Sequence, residues 1–248
     1  MLAYAAGPVF RWCFICDMTV DLAKLPLTPQ QSPVLDAVSR LLLAVFFAYC
    51  AGIYGQNAYE QWQETLVTGY NIAFFSHALA IVAVALYTLM LAFVYILRVR
   101  PVNKFAGWWP CIAALLGGFM GMGLVLFPRT NLPLPLQIFA SIVILIGNGM
   151  AAYVLSQLGR SFSILAEGRR LVTTGPYKIV RHPLYAVEAI ATIGVLMTFW
   201  SVGAFLLVIA QFAFQLVRMH YEEKVLRATF PEYADYASHT ARLIPGVY

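Results

Sequence analysis

Apolar residues run through most of the chain in long blocks, separated by short polar stretches. Blocks from about Leu35 to Tyr54, Ile72 to Leu97, Trp108 to Phe127 and Leu134 to Leu158 are each long enough to cross a hydrocarbon core of about 30 Å as a helix. Two more, about Leu184 to Trp200 and Val202 to Val217, are separated only by a turn near Ser201 and Gly203. They predict a tight helical hairpin. Polar loops are expected at Gln56, Asn57, Glu60 and Glu64, and at Pro128 to Asn131. The pattern predicts an all-α polytopic membrane bundle of about six spans.

Six spans leave both termini on one side, and the distribution of Lys and Arg selects it. Arg11, Lys24 and Arg40 lie in or near the amino-terminal segment. Arg98, Arg100 and Lys104 follow the second block, and Arg160, Arg169, Arg170, Lys178 and Arg181 follow the fourth. Arg218, Lys224, Arg227 and Arg242 belong to the end of the sixth block and the tail. Only Arg129 falls on the opposite side, a bias of fifteen to one, so the termini and the central polar loop are expected to face the cytoplasm.

Composition agrees with the pattern. Hydrophobic residues make up 61% and charged residues 11% of the chain, against about 25% charged in ordinary soluble domains. A net charge of +5 raises the question of nucleic acid, but the cations occur in short runs between apolar blocks, as membrane topology requires. No nucleic-acid partner is expected, and membrane lipids are. Residues 1–34 carry no ordered sequence of basic, apolar and small-residue regions, so they read as a cytoplasmic lead-in, not a cleaved signal peptide.

Cys13-Phe14-Ile15-Cys16 has no second pair and no histidine at ligand spacing, while Cys50 and Cys111 lie in predicted spans. Apolar packing is the expected role, with no metal site. Gly117 and Gly121 in the third block have small-xxx-small spacing, which points to a close helix contact. No phosphate loop, HExxH or Gly-x-Ser-x-Gly is present, and a phosphate-binding NTPase or zinc protease is disfavoured.

The main polar interruption runs from Ser156 to Glu188 and leads into the fifth block through Arg181-His182-Pro183-Leu184-Tyr185. Pro183 suits the first turn of a helix, because its missing N–H would be unpaired there anyway. His182 can serve either as an interfacial hydrogen-bonding residue or as a group that handles ligand or proton. Glu188 falls inside the fifth span, where an ionisable group either carries function, or faces a water-filled pocket or pairs with a nearby arginine. Arg218 and Glu222, four residues apart, share a helix face and can form an ion pair, with Glu223 about 100° away. Arg218 still belongs to an apolar block, so it must neutralise something there.

LVTTGPYKIVRHPLY, then an Arg-x-x-x-Glu-Glu helix about thirty-five residues on, then FPEYADY and RLIP, resembles the isoprenylcysteine carboxyl methyltransferase family, and more loosely the membrane phospholipid methyltransferases. The likeness covers roughly residues 153–246. It implies a division into an amino-terminal segment (1–34), accessory transmembrane helices (35–152) and a methyltransferase catalytic region (153–248). It further implies a cytoplasmic pocket for S-adenosylmethionine, built from the loop after span four and the carboxy-terminal segment, and a lipophilic or prenylated acceptor. By the same resemblance Arg169, Arg170, Leu171, Val172, Tyr177, His182, Pro183, Leu184, Tyr185 and Glu222 match cofactor contacts. Arg218 matches the residue that holds the substrate carboxylate, and Glu188 is a second catalytic candidate. Val187 stands where the family often has glycine. Alternatives are a phospholipid, amine or thiol acceptor, a sterol-reductase-like enzyme using NADPH, and a non-catalytic lipid-binding protein.

Overall fold

A computed structural model describes residues 27–29, 33–69, 72–105 and 107–246; Cys13 and Cys16 lie outside them. Helices α1 (Pro33–Thr68), α2 (Ile72–Leu97), α3 (Trp108–Phe119), α4 (Leu134–Leu158), α5 (Pro183–Thr198), α6 (Val202–Thr229) and α7 (Tyr233–His239) dominate. Three short antiparallel strands, β1 (Leu27–Pro29), β2 (Asn103–Phe105) and β3 (Glu167–Gly168), form a small sheet in the order β1-β2-β3. Among the described residues five helices are long and apolar enough to cross a membrane, and α5 is a shorter apolar helix. Their outward faces carry exposed Leu, Val, Ile and Phe, as a helix surrounded by lipid should.

Two of the predicted boundaries move. The expected loop at Gln56, Asn57, Glu60 and Glu64 is helical, because α1 continues to Thr68. Gln and Glu are good helix formers, the Gln56 amide donates to Glu60 at 3.0 Å, and the helix stops only before Gly69 at φ 89°, a conformation that suits glycine at a helix end. The third block is helical only to Phe119 and tightens to a 3₁₀ helix over Met120–Leu126.

The glycines of that block do make a close helix contact. A Cβ at Gly117 would lie 3.1 Å from the backbone nitrogen of Gln215, and one at Gly121 2.7 Å from Gln211 Oε1. On the other side of the bundle α4 and α5 approach as closely, since a Cβ at Gly147 would lie 2.5 Å from Ala191 N and one at Gly194 2.7 Å from Ile144 Cγ1.

The expected tight hairpin of the last two spans is therefore corrected. Their connection is short, with Ser201 Oγ accepting from Ala204 N at 3.1 Å, yet α5 packs mainly along α4 and α6 mainly along α3. The glycine contacts decide these partners, and the two helices splay apart between them. Gly147→Val would push α4 off α5 and is expected to cost about 1–3 kcal/mol, read as a lower unfolding midpoint in detergent. Gly149→Val, with nothing within 4 Å of its Cβ, should leave the midpoint nearly unchanged.

Buried charge fixes the α1–α2 pair at the same end as the small sheet. Asp36 bonds Arg40 at 2.7 Å and Arg98 at 3.2 Å, and Arg98 lies over the Tyr95 ring at 4.7 Å. Tyr95 itself is fully buried and accepts from Ile164 N at 2.9 Å. The bundle thus grips the start of the loop that leads to α5.

Candidate functional site

The residues ahead of α5 are held by the end of the chain. Val180 bridges Ala241 in parallel fashion, Arg181 N donates to Ala241 O at 2.8 Å and His182 N to Arg242 O at 3.1 Å. RLIP thus pairs with RHPLY. Arg181 Nη1 also donates to the carbonyls of Ala237 and Thr240 at 2.8 and 2.6 Å, and Tyr236 Oη donates to Tyr177 O at 2.6 Å.

One carboxylate gathers two arginines and a histidine into this arrangement. Glu223 Oε1 lies 3.0 Å from Arg181 Nε, 3.1 Å from His182 Nε2 and 3.1 Å from Arg242 Nε. The sequence had marked Glu223 only as pointing away from Arg218, and that offset is what lets it face the loop. Its neighbour Glu222 faces the interior: Tyr185 Oη donates to Glu222 Oε1 at 2.6 Å and Arg218 Nε donates to the same oxygen at 3.0 Å. Arg218 Nη2 donates to Ser163 O at 3.1 Å, and its guanidinium lies 5.0 Å from the centre of the Tyr185 ring.

These side chains surround a cavity of about 340 Å³ that runs from the polar loop into the bundle. Arg169, Arg170, Leu171, Val172, Tyr177, His182, Leu184, Tyr185 and Glu222 all line it, as do Arg218 and Glu188. Pro183 does not; it is buried as the first residue of α5. Arg169 is turned to structural use, pairing with Glu167 at 2.5 Å and donating to the carbonyl of Val99, whereas Arg170 is exposed. Val187 is packed in the apolar core with Ala151, Leu155 and Leu184, so the position where the family often has glycine serves packing here.

Glu188 lines the cavity and accepts a 2.6 Å hydrogen bond from Tyr87 Oη of α2. Tyr87 lies 101 residues away in a largely apolar block, and nothing local pointed to it. Tyr233 was also missed as a site residue: it lines the cavity, is 1% exposed, and its Oη has no hydrogen-bond partner among the described residues. Burial pushes the Tyr236 phenol up to about 12 and raises those of Tyr177 and Tyr233 as well. All three are neutral hydrogen-bonding groups near pH 7.

The cavity is therefore polar and aromatic at its loop end, where Glu167 and Glu222 stand with Arg169, Arg170 and Arg181, and Arg218 lies where it passes into the bundle. Deeper walls are largely apolar, from Phe46, Phe47, Leu91, Phe119, Leu124 and Val195. Such a shape can hold a polar molecule and a lipophilic one end to end.

Residues 140–228 match the isoprenylcysteine carboxyl methyltransferase (ICMT) family. Similar proteins include the nickel-cobalt-cadmium resistance protein NccN of Alcaligenes xylosoxydans xylosoxydans, 34% identical over 102 residues, covering 39% of this chain and 48% of that protein. Protein-S-isoprenylcysteine O-methyltransferases B and A of Arabidopsis thaliana are 30% and 32% identical, each covering 50% of this chain and 66% of the relative. The chain spans about half the length of the metal-resistance relatives it matches. Through the segment that carries α5, α6 and the loop before them, it belongs to the isoprenylcysteine carboxyl methyltransferase family.

Proposed function

We propose that the protein is an integral membrane methyltransferase that moves a methyl group from S-adenosylmethionine to the carboxylate of a lipophilic acceptor. The observation that carries this reading is the meeting of Arg218 and Glu222 with Tyr185 and His182 around one cavity that is polar at one end and apolar at the other. The catalytic region is the part from residue 153 onward, and the cytoplasmic orientation of its polar mouth rests on the fifteen-to-one bias of Lys and Arg.

The loop end fits the donor chemically. Glu222 and the rings of Tyr177, Tyr185 and Tyr236 offer an anionic and aromatic enclosure for a cation. Tyr233 Oη, buried and without a partner among the described residues, is an orphan whose cost a polar ligand would relieve. Leu171, Val172 and Leu184 supply apolar contact, and Arg170 and His182 complete the set. When bound, S-adenosylmethionine supplies an activated methyl group on a sulfonium sulfur.

Arg218 holds the acceptor carboxylate at the boundary between the two halves. A guanidinium remains charged at any physiological pH and grips two oxygens at once. The acceptor carboxylate would already be ionised, so with the methyl donor held by Glu222 and the tyrosines this chain would need to supply no base. Catalysis then consists of alignment and exclusion of water. An isoprenylcysteine is the acceptor that the names of the two plant relatives suggest. The metal-resistance names of other relatives find no counterpart in the geometry, since among the described residues no three His, Cys, Asp or Glu side chains gather as metal ligands.

Calorimetric titration of the purified protein in detergent tests the donor. We expect S-adenosylmethionine to bind, and Tyr233→Phe to weaken it about two- to tenfold by loss of one hydrogen bond. Unchanged affinity in that variant would remove Tyr233 from the site, and no binding by the parent protein would remove the reading itself.

A further inference from the structure

Beyond Arg218 the cavity continues into the bundle, and α6 lines it with a polar edge. Gln211, Gln215, Arg218 and Glu222 all face it, at spacings of four, three and four that keep them on one side of a helix. Gln211 is 6% exposed, and its Oε1 has no hydrogen-bond partner among the described residues. The same lining includes the apolar Leu124, Val125 and Val195 along with Asn148 and Thr192.

The fold makes room for this amide deliberately. Gln211 lies flat across Gly121, where a Cβ would meet its Oε1 at 2.7 Å, its Nε2 at 3.0 Å and its Cδ at 3.2 Å. Any side chain at position 121 would displace the amide. An unsatisfied amide oxygen in an apolar setting costs about 1–3 kcal/mol, and a leucine would pack there without that cost. Glu188, which accepts from Tyr87, and the amides of Asn148 and Gln215 line the same space, yet none of them is bonded to Gln211 Oε1.

Given the reading of Arg218 as the carboxylate anchor, we propose that Gln211 is a specificity-determining residue that accepts a hydrogen bond from a hydroxyl group on the hydrocarbon chain of the acceptor. Seven residues of helix separate it from Arg218, roughly 10 Å along the axis. The substrate class is then a lipid carboxylic acid hydroxylated in mid-chain, as opposed to an acid with an unsubstituted hydrocarbon tail.

The test uses the full chain in detergent, a radiolabelled methyl donor, plain octadecanoic acid and a positional series of hydroxyoctadecanoic acids. Displacement of a fluorescent fatty acid by the same compounds gives affinity separately from methyl transfer. A mid-chain hydroxyl is expected to improve kcat/KM and affinity about two- to tenfold over the plain acid and over hydroxyls at either end. Gln211→Leu, and Gln211→Met as a variant of matching length, are expected to erase that difference. An equal response to all positions, as when the amide merely holds water, or a preference that persists in both variants, overturns the inference. Preferential displacement without methyl transfer would uphold Gln211 as a hydroxyl site and overturn these acids as acceptors. Neither displacement nor transfer by any acid would overturn the inference alone, because the methyltransferase reading stands or falls on the calorimetric titration with S-adenosylmethionine.

Discussion

Replacing Arg218 by alanine is expected to lower kcat/KM for methyl transfer by about a hundredfold or more, the scale of removing one partner from a buried charge pair. Two effects combine. The proposed acceptor carboxylate would lose Arg218 at the neck of the cavity, and Glu222 would lose the 3.0 Å bond from Arg218 Nε while keeping the 2.6 Å bond from Tyr185 Oη. Because Glu222 remains tethered, donor affinity should fall much less than turnover. Arg218→Lys restores charge but cannot span Glu222, the Ser163 carbonyl and a substrate oxygen together, so it should recover only part of the activity. Steady-state kinetics with calorimetric donor titration separates these outcomes, and a fully active alanine variant would locate the carboxylate anchor elsewhere.

Glu223→Gln is expected to act on stability. It would leave Arg181, His182 and Arg242 converging on a neutral amide, at a cost of about 3 kcal/mol or more. The pairing of Val180 with Ala241 hangs on those same residues, so the tail should loosen. The unfolding midpoint in detergent should drop clearly for Glu223→Gln and little for Glu222→Gln, whose larger effect should fall on the donor's Kd. A pair of adjacent glutamates would then divide into one that builds the site and one that faces its contents. Equal midpoints for the two variants would refute that division.

Much of this arrangement was legible in the chain because the relevant physics is local. Long apolar blocks mark the helices, and α4 begins and ends where its block does. Gly117 and Gly121 announced a close neighbour, and the four-residue step from Arg218 to Glu222 announced a shared face. What stayed hidden depends on distant partners. The extension of α1 through polar residues has no hydrophobic signature, and the three strands are two or three residues long, too short to alternate. The separation of α5 from α6 is dictated by Gly147 and Gly194, whose meaning appears only when α4 and α5 are side by side. Tyr87 and Glu188 each looked ordinary or isolated until helices 101 residues apart joined them.

The brevity of α5 has a bearing on the lipid around it. Its 16 residues reach about 24 Å, several ångströms less than an ordinary hydrocarbon slab, and a short apolar segment is accommodated by a locally pinched bilayer. Headgroups beside α5 would ride lower than elsewhere in the leaflet, bringing the acidic end of an amphiphile down toward the arginine at the cavity's neck while its tail stays in oil.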